Sequence, residues 1–242
     1  MDLGIATRTA LVTASSKGLG RASAMALAAE GVNVTICARN GETLARTARE
    51  IEGLGGGQVH AIVADVTARD APARLVAETV ERFGALHIVV ANAGGPPPGR
   101  ALNIDDGAIL SAVEANLLST VRLVREGLPH LRTAGWGRVV AIESISVKQP
   151  IPDLALSNLA RTALWAWAKT AAQDVAADNI TINLACPGLH ATDRVTELGH
   201  TAGRLGDPDD FGKVVAFLCS VPAGFINGSA VGVDGGAVMG LL

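Results

Sequence analysis

Seven short apolar runs, separated by stretches with helical patterning, constrain this chain more than any other feature. The runs are Ala10-Leu11-Val12, Val32 to Cys37, Val59 to Val63, His87 to Val90, Arg138 to Ile142, Ile180 to Ala185, and Ala230 to Val233. Short apolar runs bounded by turn residues read as strands buried on both faces. The intervening segments have apolar residues at helical spacing. One ends at Gly31, one passes through Leu44 and Ile51, and one runs from about Arg69 to Phe83 with Leu75, Val76, Thr79 and Val80 on one face. Three more span about Ile109 to Leu131, Asp153 to Ala177 and Pro208 to Ser220. Strictly alternating βα units imply right-handed crossovers, and so an α/β fold with a parallel sheet covered by helices on both faces.

At 242 residues without a repeat, low-complexity tract or linker, the whole chain is expected to be one domain. A formal charge of −3 argues against a nucleic-acid or anionic-membrane surface. Charges interrupt the apolar runs, so no segment is expected to span a bilayer. The N-terminus carries Asp2 and lacks a signal-peptide layout. Cys37, Cys186 and Cys219 sit in apolar contexts without metal-ligand spacing. They read as reduced core residues, with no metal and a cytoplasmic location.

In such a sheet, ligands bind beyond the C-terminal ends of the strands. After the first run comes Thr13-Ala14-Ser15-Ser16-Lys17-Gly18-Leu19-Gly20, and then a helix with Ala22, Met25, Ala26 and Ala29 at helical spacing. Strand, glycine turn and helix N-terminus make a phosphate site, because glycine admits close approach and the helix presents free N–H groups. After the second run stands Arg39, where a carboxylate would suit the ribose of NAD and a cation suits the 2′-phosphate of NADP. Lys17 is within reach of the same phosphate, so the expected cofactor is NADP(H). Asp65 and Val66 follow the third run, in position to meet an adenine. Asn92, Ala93 and Gly94 follow the fourth, with small side chains beside a close-lying ligand.

These residues, taken in order, resemble the short-chain dehydrogenase/reductase family over essentially the whole chain, nearest its 3-oxoacyl-[acyl-carrier-protein] reductase branch. Carrying the resemblance are the Thr13 to Gly20 turn, Asp65-Val66, Asn92-Ala93-Gly94, Asn116, and Ser144 after the fifth run. Asn183, Pro187-Gly188 and Thr192 match the family's N-x-x-x-P-G-x-x-x-T run, and Arg204 to Pro208 and Val233 to Gly236 match its C-terminal landmarks. The resemblance implies a single Rossmann-type, doubly wound domain of about seven parallel strands and a homotetramer. It implies cofactor contacts at Pro187, Gly188 and Thr192, and catalytic roles for Asn116 and Ser144 toward a small-molecule carbonyl or alcohol substrate.

The departures from that pattern are chemical. The family's first turn glycine is Ala14, which is costly if the turn needs positive φ. Ser157 and Arg161 stand where the family has the tyrosine and lysine of its Tyr-x-x-x-Lys, and the chain contains no tyrosine at all. A serine hydroxyl is a far weaker acid than a phenol of pKa near 10, and arginine does not give up a proton. Proton transfer to the substrate oxygen therefore has no obvious source at position 157. Glu143, Lys148 and His190 are the other titratable groups nearby. Glu143 and Lys148 are expected to form a loop ion pair, and His190 to sit at the rim. The stretch near 189–204, where the family places a substrate lid, is short. Trp165 and Trp167 face different ways on one helix and suit core or subunit contacts. An oxidoreductase with an altered proton route is the leading expectation. The alternatives are a non-redox enzyme such as a dehydratase, cyclase or isomerase, and a cofactor-binding or partner protein without chemistry.

Overall fold

The computed structural model describes residues 1–199 and 204–241. Seven strands form one parallel sheet in the order β3-β2-β1-β4-β5-β6-β7. They are β1 Thr9–Val12, β2 Asn33–Ala38, β3 Val59–Val63, β4 Ile88–Ala91, β5 Gly137–Ile142, β6 Ile180–Pro187 and β7 Ala230–Val233. The helices are α1 Gly18–Ala29, α2 Gly41–Glu52, α3 Ala71–Phe83, α4 Asp106–Val113, α5 Ser119–Thr133, α6 Ala155–Asp174, α7 Asp193–Glu197 and α8 Pro208–Leu218.

Side chains alternate across each strand, so one sheet feeds two cores. Ala10 and Val12 of β1 join Ile36, Val90, Val140 and Ala185 beneath α1, α2 and α8, around Leu27, Leu44 and Phe211. Leu11 joins Cys37, Val89, Val139 and Ile182 on the other face beneath α3, α5 and α6, around Leu75, Leu123 and Leu164. Trp165 and Trp167 pack against this second core as partly buried residues. The chain reverses direction across the sheet between β1 and β4, where Leu11 pairs with Thr35 on one side and Val89 on the other. The crossovers on the two sides of that line diverge and leave a crevice above the strand ends.

Two expectations need correction. The segment expected as a continuous helix from Ile109 to Leu131 starts at Asp106, ends at Thr133, and contains a π turn over Glu114–Leu118. That 28-residue stretch is also long and apolar enough to cross a membrane, with a mean hydropathy of 1.3 over its most apolar window. The expectation that no segment meets that test fails, although Leu123, Val124 and Leu131 of this helix lie in the sheet's second core.

Candidate active site

The β1–α1 turn is held from within. Ser15 Oγ donates to Val12 O at 2.8 Å, and Ser15 N–H donates to Cys37 O at 2.9 Å. Ser15 is therefore consumed in tying the turn to β2 and is fully buried. Thr13 Oγ1 donates to Asn92 O and accepts from Asn92 N–H, each at 2.8 Å, while Asn92 Nδ2 donates to Ala14 O at 3.1 Å. These bonds clamp the ends of β1 and β4 together at the floor of the crevice. Ser16 O accepts from Thr47 Oγ1 of α2 at 2.9 Å, and Leu19 packs on the first core.

Ala14 adopts φ +45°, in the left-handed region that favours glycine, so alanine occupies this turn position under strain. Gly18 has φ +59°. A Cβ on Gly20 would lie 2.6 Å from Ala14 O, which is why α1 can begin so close to the turn only with glycine there.

Beyond β2 and β3, Arg39 and Asp65 are exposed, whereas Val66 is partly buried against the second core. Arg39 has no ion pair among the described residues. Asp65 Oδ1 accepts from Thr67 N–H at 2.9 Å and from Thr67 Oγ1 at 2.8 Å. Those two bonds, with a smaller contribution from the charge of Arg39, hold its carboxyl below the usual range. Lys17 does not stand free beside Arg39, as the sequence suggests. Its Nζ lies 3.2 Å from Asp193 Oδ2, at the start of α7. Arg194 Nη2 donates to Pro96 O at 2.7 Å. The short α7 thus ties the phosphate turn to the loop after Gly94, bridging the mouth of the crevice. Both Lys17 and Asp193 are largely exposed, so that pair contributes at most about 1 kcal/mol and can be exchanged for a ligand phosphate. Sequence reasoning had no signal for Asp193, because the partner lies 176 residues away.

The residues fit a dinucleotide. The first turn of α1 has no acidic residue and its N-cap makes no side-chain bond, so its N–H groups are open to an anion. A Cβ on Gly94 would meet nothing within 4 Å, which leaves clearance beside Ala93. At the far end, Gly188 N–H donates to Val233 O at 3.0 Å, and a Cβ there would lie 2.9 Å from Asp234 Cα. Pro187 ends β6, and Thr192, the N-cap residue of α7, makes no side-chain capping bond while its N–H donates to His190 O at 2.7 Å. The lid segment named from the sequence is seen as α7, with 200–203 lying outside the described residues.

At the reacting end the structure regroups the candidates. Ser144 caps a single 3-10 turn after β5, its Oγ accepting from Ser146 N–H at 3.1 Å. Ser157 and Arg161 lie one turn apart on α6, both buried. Arg161 Nε donates to Ser157 Oγ at 3.2 Å, and its Nη1 donates to Ile142 O at 3.2 Å and to Glu143 Oε2 at 3.3 Å. Glu143 therefore pairs with Arg161 and not with Lys148, since its side chain is 3% exposed and points inward, away from the loop. Burial pushes the Glu143 carboxyl up to about 7, against the opposing pull of Arg161. The neighbouring Cys186 thiol is pushed up to about 12, chiefly by burial, and is inert as a nucleophile.

His190 is no rim residue. It is 5% exposed, packs edge-on to Phe211 with ring centroids 5.2 Å apart, and places Nδ1 3.2 Å from Gly188 O. Asn116 lies inside the π turn; its Nδ2 makes one long bond to Ala112 O at 3.4 Å, and its buried Oδ1 has no partner among the described residues. Such turns widen a helix locally and recur at functional sites. Nothing in the apolar periodicity marked this one.

This geometry agrees with comparisons to known proteins. Residues 8–203 match the family profile described as short chain dehydrogenase. A pig (Sus scrofa) protein named dehydrogenase/reductase SDR family member 4 is 32% identical over 242 residues, covering 95% of this chain and 86% of the relative. Among solved structures, L-sorbose reductase from Gluconobacter frateurii, complexed with NADPH and L-sorbose, superposes with a TM-score of 0.93 at 30% identity, covering all of both chains. A 3-oxoacyl (acyl-carrier-protein) reductase from Agrobacterium tumefaciens with NADP bound gives 0.88 at 28% identity, covering 97% of this chain and 95% of that one. With four-fifths of its length matched and the crevice assembled in the same fold, this chain belongs to the short-chain dehydrogenase family.

Proposed function

We propose that the protein binds NADP(H) and acts as an oxidoreductase on a carbonyl or alcohol substrate, with Ser157 and Arg161 replacing the tyrosine and lysine of its family. The observation that carries the reading is the pairing of an open phosphate turn with an exposed Arg39 after β2 that has no ion pair among the described residues. Bound NADPH would supply hydride. The chain's own part is to cradle the phosphates at the α1 N-terminus, to meet the 2′-phosphate with Arg39, and to present Ser144 to a carbonyl oxygen. NADP-bound structural relatives support the cofactor assignment. Resemblance to the 3-oxoacyl-[acyl-carrier-protein] reductase branch supports a 3-oxo or related carbonyl substrate. The family pattern supports a homotetramer in a reducing, cytoplasmic setting.

No group at position 157 can protonate an alkoxide, so reduction of simple ketones and 3-oxoacyl thioesters is expected to be about 10²–10⁴-fold slower than with a positioned acid. The test is direct titration with NADPH, NADH and their oxidised forms, followed by NADPH consumption against a panel of such substrates. Arg39→Asp should weaken NADPH binding by about tenfold and leave NADH binding equal or better. Equal affinity of the unmodified protein for both reduced cofactors would overturn the NADP(H) assignment. Ketone turnover at ordinary reductase rates would overturn the impaired proton route. The inward-turned Arg161 also favours a second reading, a non-redox enzyme using the same crevice, which tight cofactor binding without any substrate-dependent oxidation would support.

A further inference from the structure

We propose that Asp193 tunes the affinity of this protein for its cofactor, by competing with a cofactor phosphate for the ammonium of Lys17. The inference rests on the NADP(H) reading for the identity of the ligand; the competitor is a residue of this chain.

The start of α7 lies against the phosphate turn. Lys17 Nζ stands 3.2 Å from Asp193 Oδ2. Beside that pair Thr192 covers the turn itself, since a Cβ on Gly18 would lie 3.8 Å from Thr192 Cγ2. The next residue, Arg194, reaches the loop after β4. There its Nη2 donates to Pro96 O at 2.7 Å, and a Cβ on Gly95 would lie 3.3 Å from the guanidinium. Ahead of α7 the chain is anchored by backbone bonds, Ala191 N–H to Gly206 O and Gly206 N–H to Leu189 O, each at 2.9 Å. Of these polar attachments, the one to Lys17 alone joins two side chains that are both largely exposed, 66% for Lys17 and 70% for Asp193. It is therefore the attachment that water and ions weaken most.

Charge makes the two partners of Lys17 rivals. Lys17 is the N-cap residue of α1, at a helix end with no acidic residue in its first turn and so open to an anion. Its ammonium is a compact point charge that pairs with a carboxylate or a phosphate oxygen alike. With Asp193 3.2 Å from Nζ, a phosphate approaching the same ammonium meets a like charge close by. Binding therefore exchanges the Asp193 contact for a phosphate contact and releases the start of α7, while Arg194 keeps its bond to Pro96 O. Arg39, by contrast, has no ion pair among the described residues to break. Cofactor affinity is thus lowered by the strength of the Lys17–Asp193 pair, which for an exposed pair is at most about fivefold.

Calorimetric titration of NADP⁺ and NAD⁺ into the full chain reads the competition without turnover. Asp193→Asn keeps the side chain's size and removes its charge, and should tighten cofactor binding about two- to fivefold. A gain confined to NADP⁺ supports the proposal with the 2′-phosphate as the rival; an equal gain for NAD⁺ supports it with the pyrophosphate. Loss of a negative charge also favours anions in general, so a cycle with Lys17→Met decides. In that background Asp193→Asn should lose most of its effect. Hydrogen exchange over residues 192–199 reads the attachment of α7 with no cofactor present, and should quicken in Asp193→Asn and in Lys17→Met alike. Thermal melts check that each variant folds. Cofactor binding unchanged or weakened in Asp193→Asn, an undiminished gain without Lys17, or unchanged exchange in both variants would each overturn the proposal and leave the NADP(H) reading standing. Failure of both the unmodified protein and Asp193→Asn to bind either cofactor would instead overturn that reading, and the competition with it.

Discussion

Residue by residue, the site is shaped by groups whose neighbours are distant in sequence. Ala14 in the left-handed region costs roughly 1 kcal/mol or more relative to glycine. Ala14→Gly should therefore raise stability by about 0.5–1 kcal/mol, after the added freedom of the unfolded chain is deducted. In a domain of this size that is a rise in Tm of about 1–4 °C by calorimetry; a lower Tm would show that the turn is not strained. Glu143 gives a pH signature. Its carboxyl titrates near 7 when folded, against 4.5 in the free chain, so the folded state holds the extra proton between those values. Stability from this group is complete below about pH 4.5, falls as pH rises toward 7, and is flat above, by at most about 3 kcal/mol in all. Glu143→Gln should remove that slope in urea melts taken from pH 5 to 8. A slope unchanged in the variant would assign it to another group. That Ser157 and Arg161 lie one turn apart on a helix was legible from their spacing alone. That Arg161 turns inward to Glu143 was not, since Glu143 reads from the sequence as the loop partner of Lys148.

At the level of elements, α1 and α8 are held in close backbone contact. Gly212 of α8 faces the backbone of α1, and a Cβ there would lie 2.4 Å from Ala22 O. Backbone cannot yield as a side-chain tip does. Gly212→Ala should cost about 1–3 kcal/mol and lower the Tm by roughly 3–10 °C. A melt for Gly212→Ala within 1 °C of the unmodified protein, on the order of measurement error, would mean the two helices can separate without cost. Most element boundaries follow from apolar periodicity and turn residues. α6 runs Ala155–Asp174 where Asp153 to Ala177 was expected, and β6 extends two residues past Ala185. The π turn around Asn116 escaped, because one inserted residue shifts hydrogen bonds without breaking the apolar face that periodicity detects.

For the whole molecule, exposed apolar residues bear on assembly. Leu102, Leu110, Phe225, Met239 and Leu241 are each at least two-thirds exposed. Exposed apolar side chains on the helical layer and near the C-terminus fit the proposed tetramer. Light scattering at micromolar concentration should return about four times the chain mass of 24.6 kDa; a stable monomer would refute it. The alternation of apolar runs by itself determined the parallel sheet, its two covered faces and the phosphate turn, because strand and helix periods are local properties of consecutive residues. Tertiary structure alone decided that Ser15 is sealed in the turn, that Lys17 meets Asp193, that His190 is buried on Phe211, and that Glu143 faces Arg161. Each depends on which side chains two crossovers bring together and on how much water is excluded there, and neither is written in the spacing of one segment.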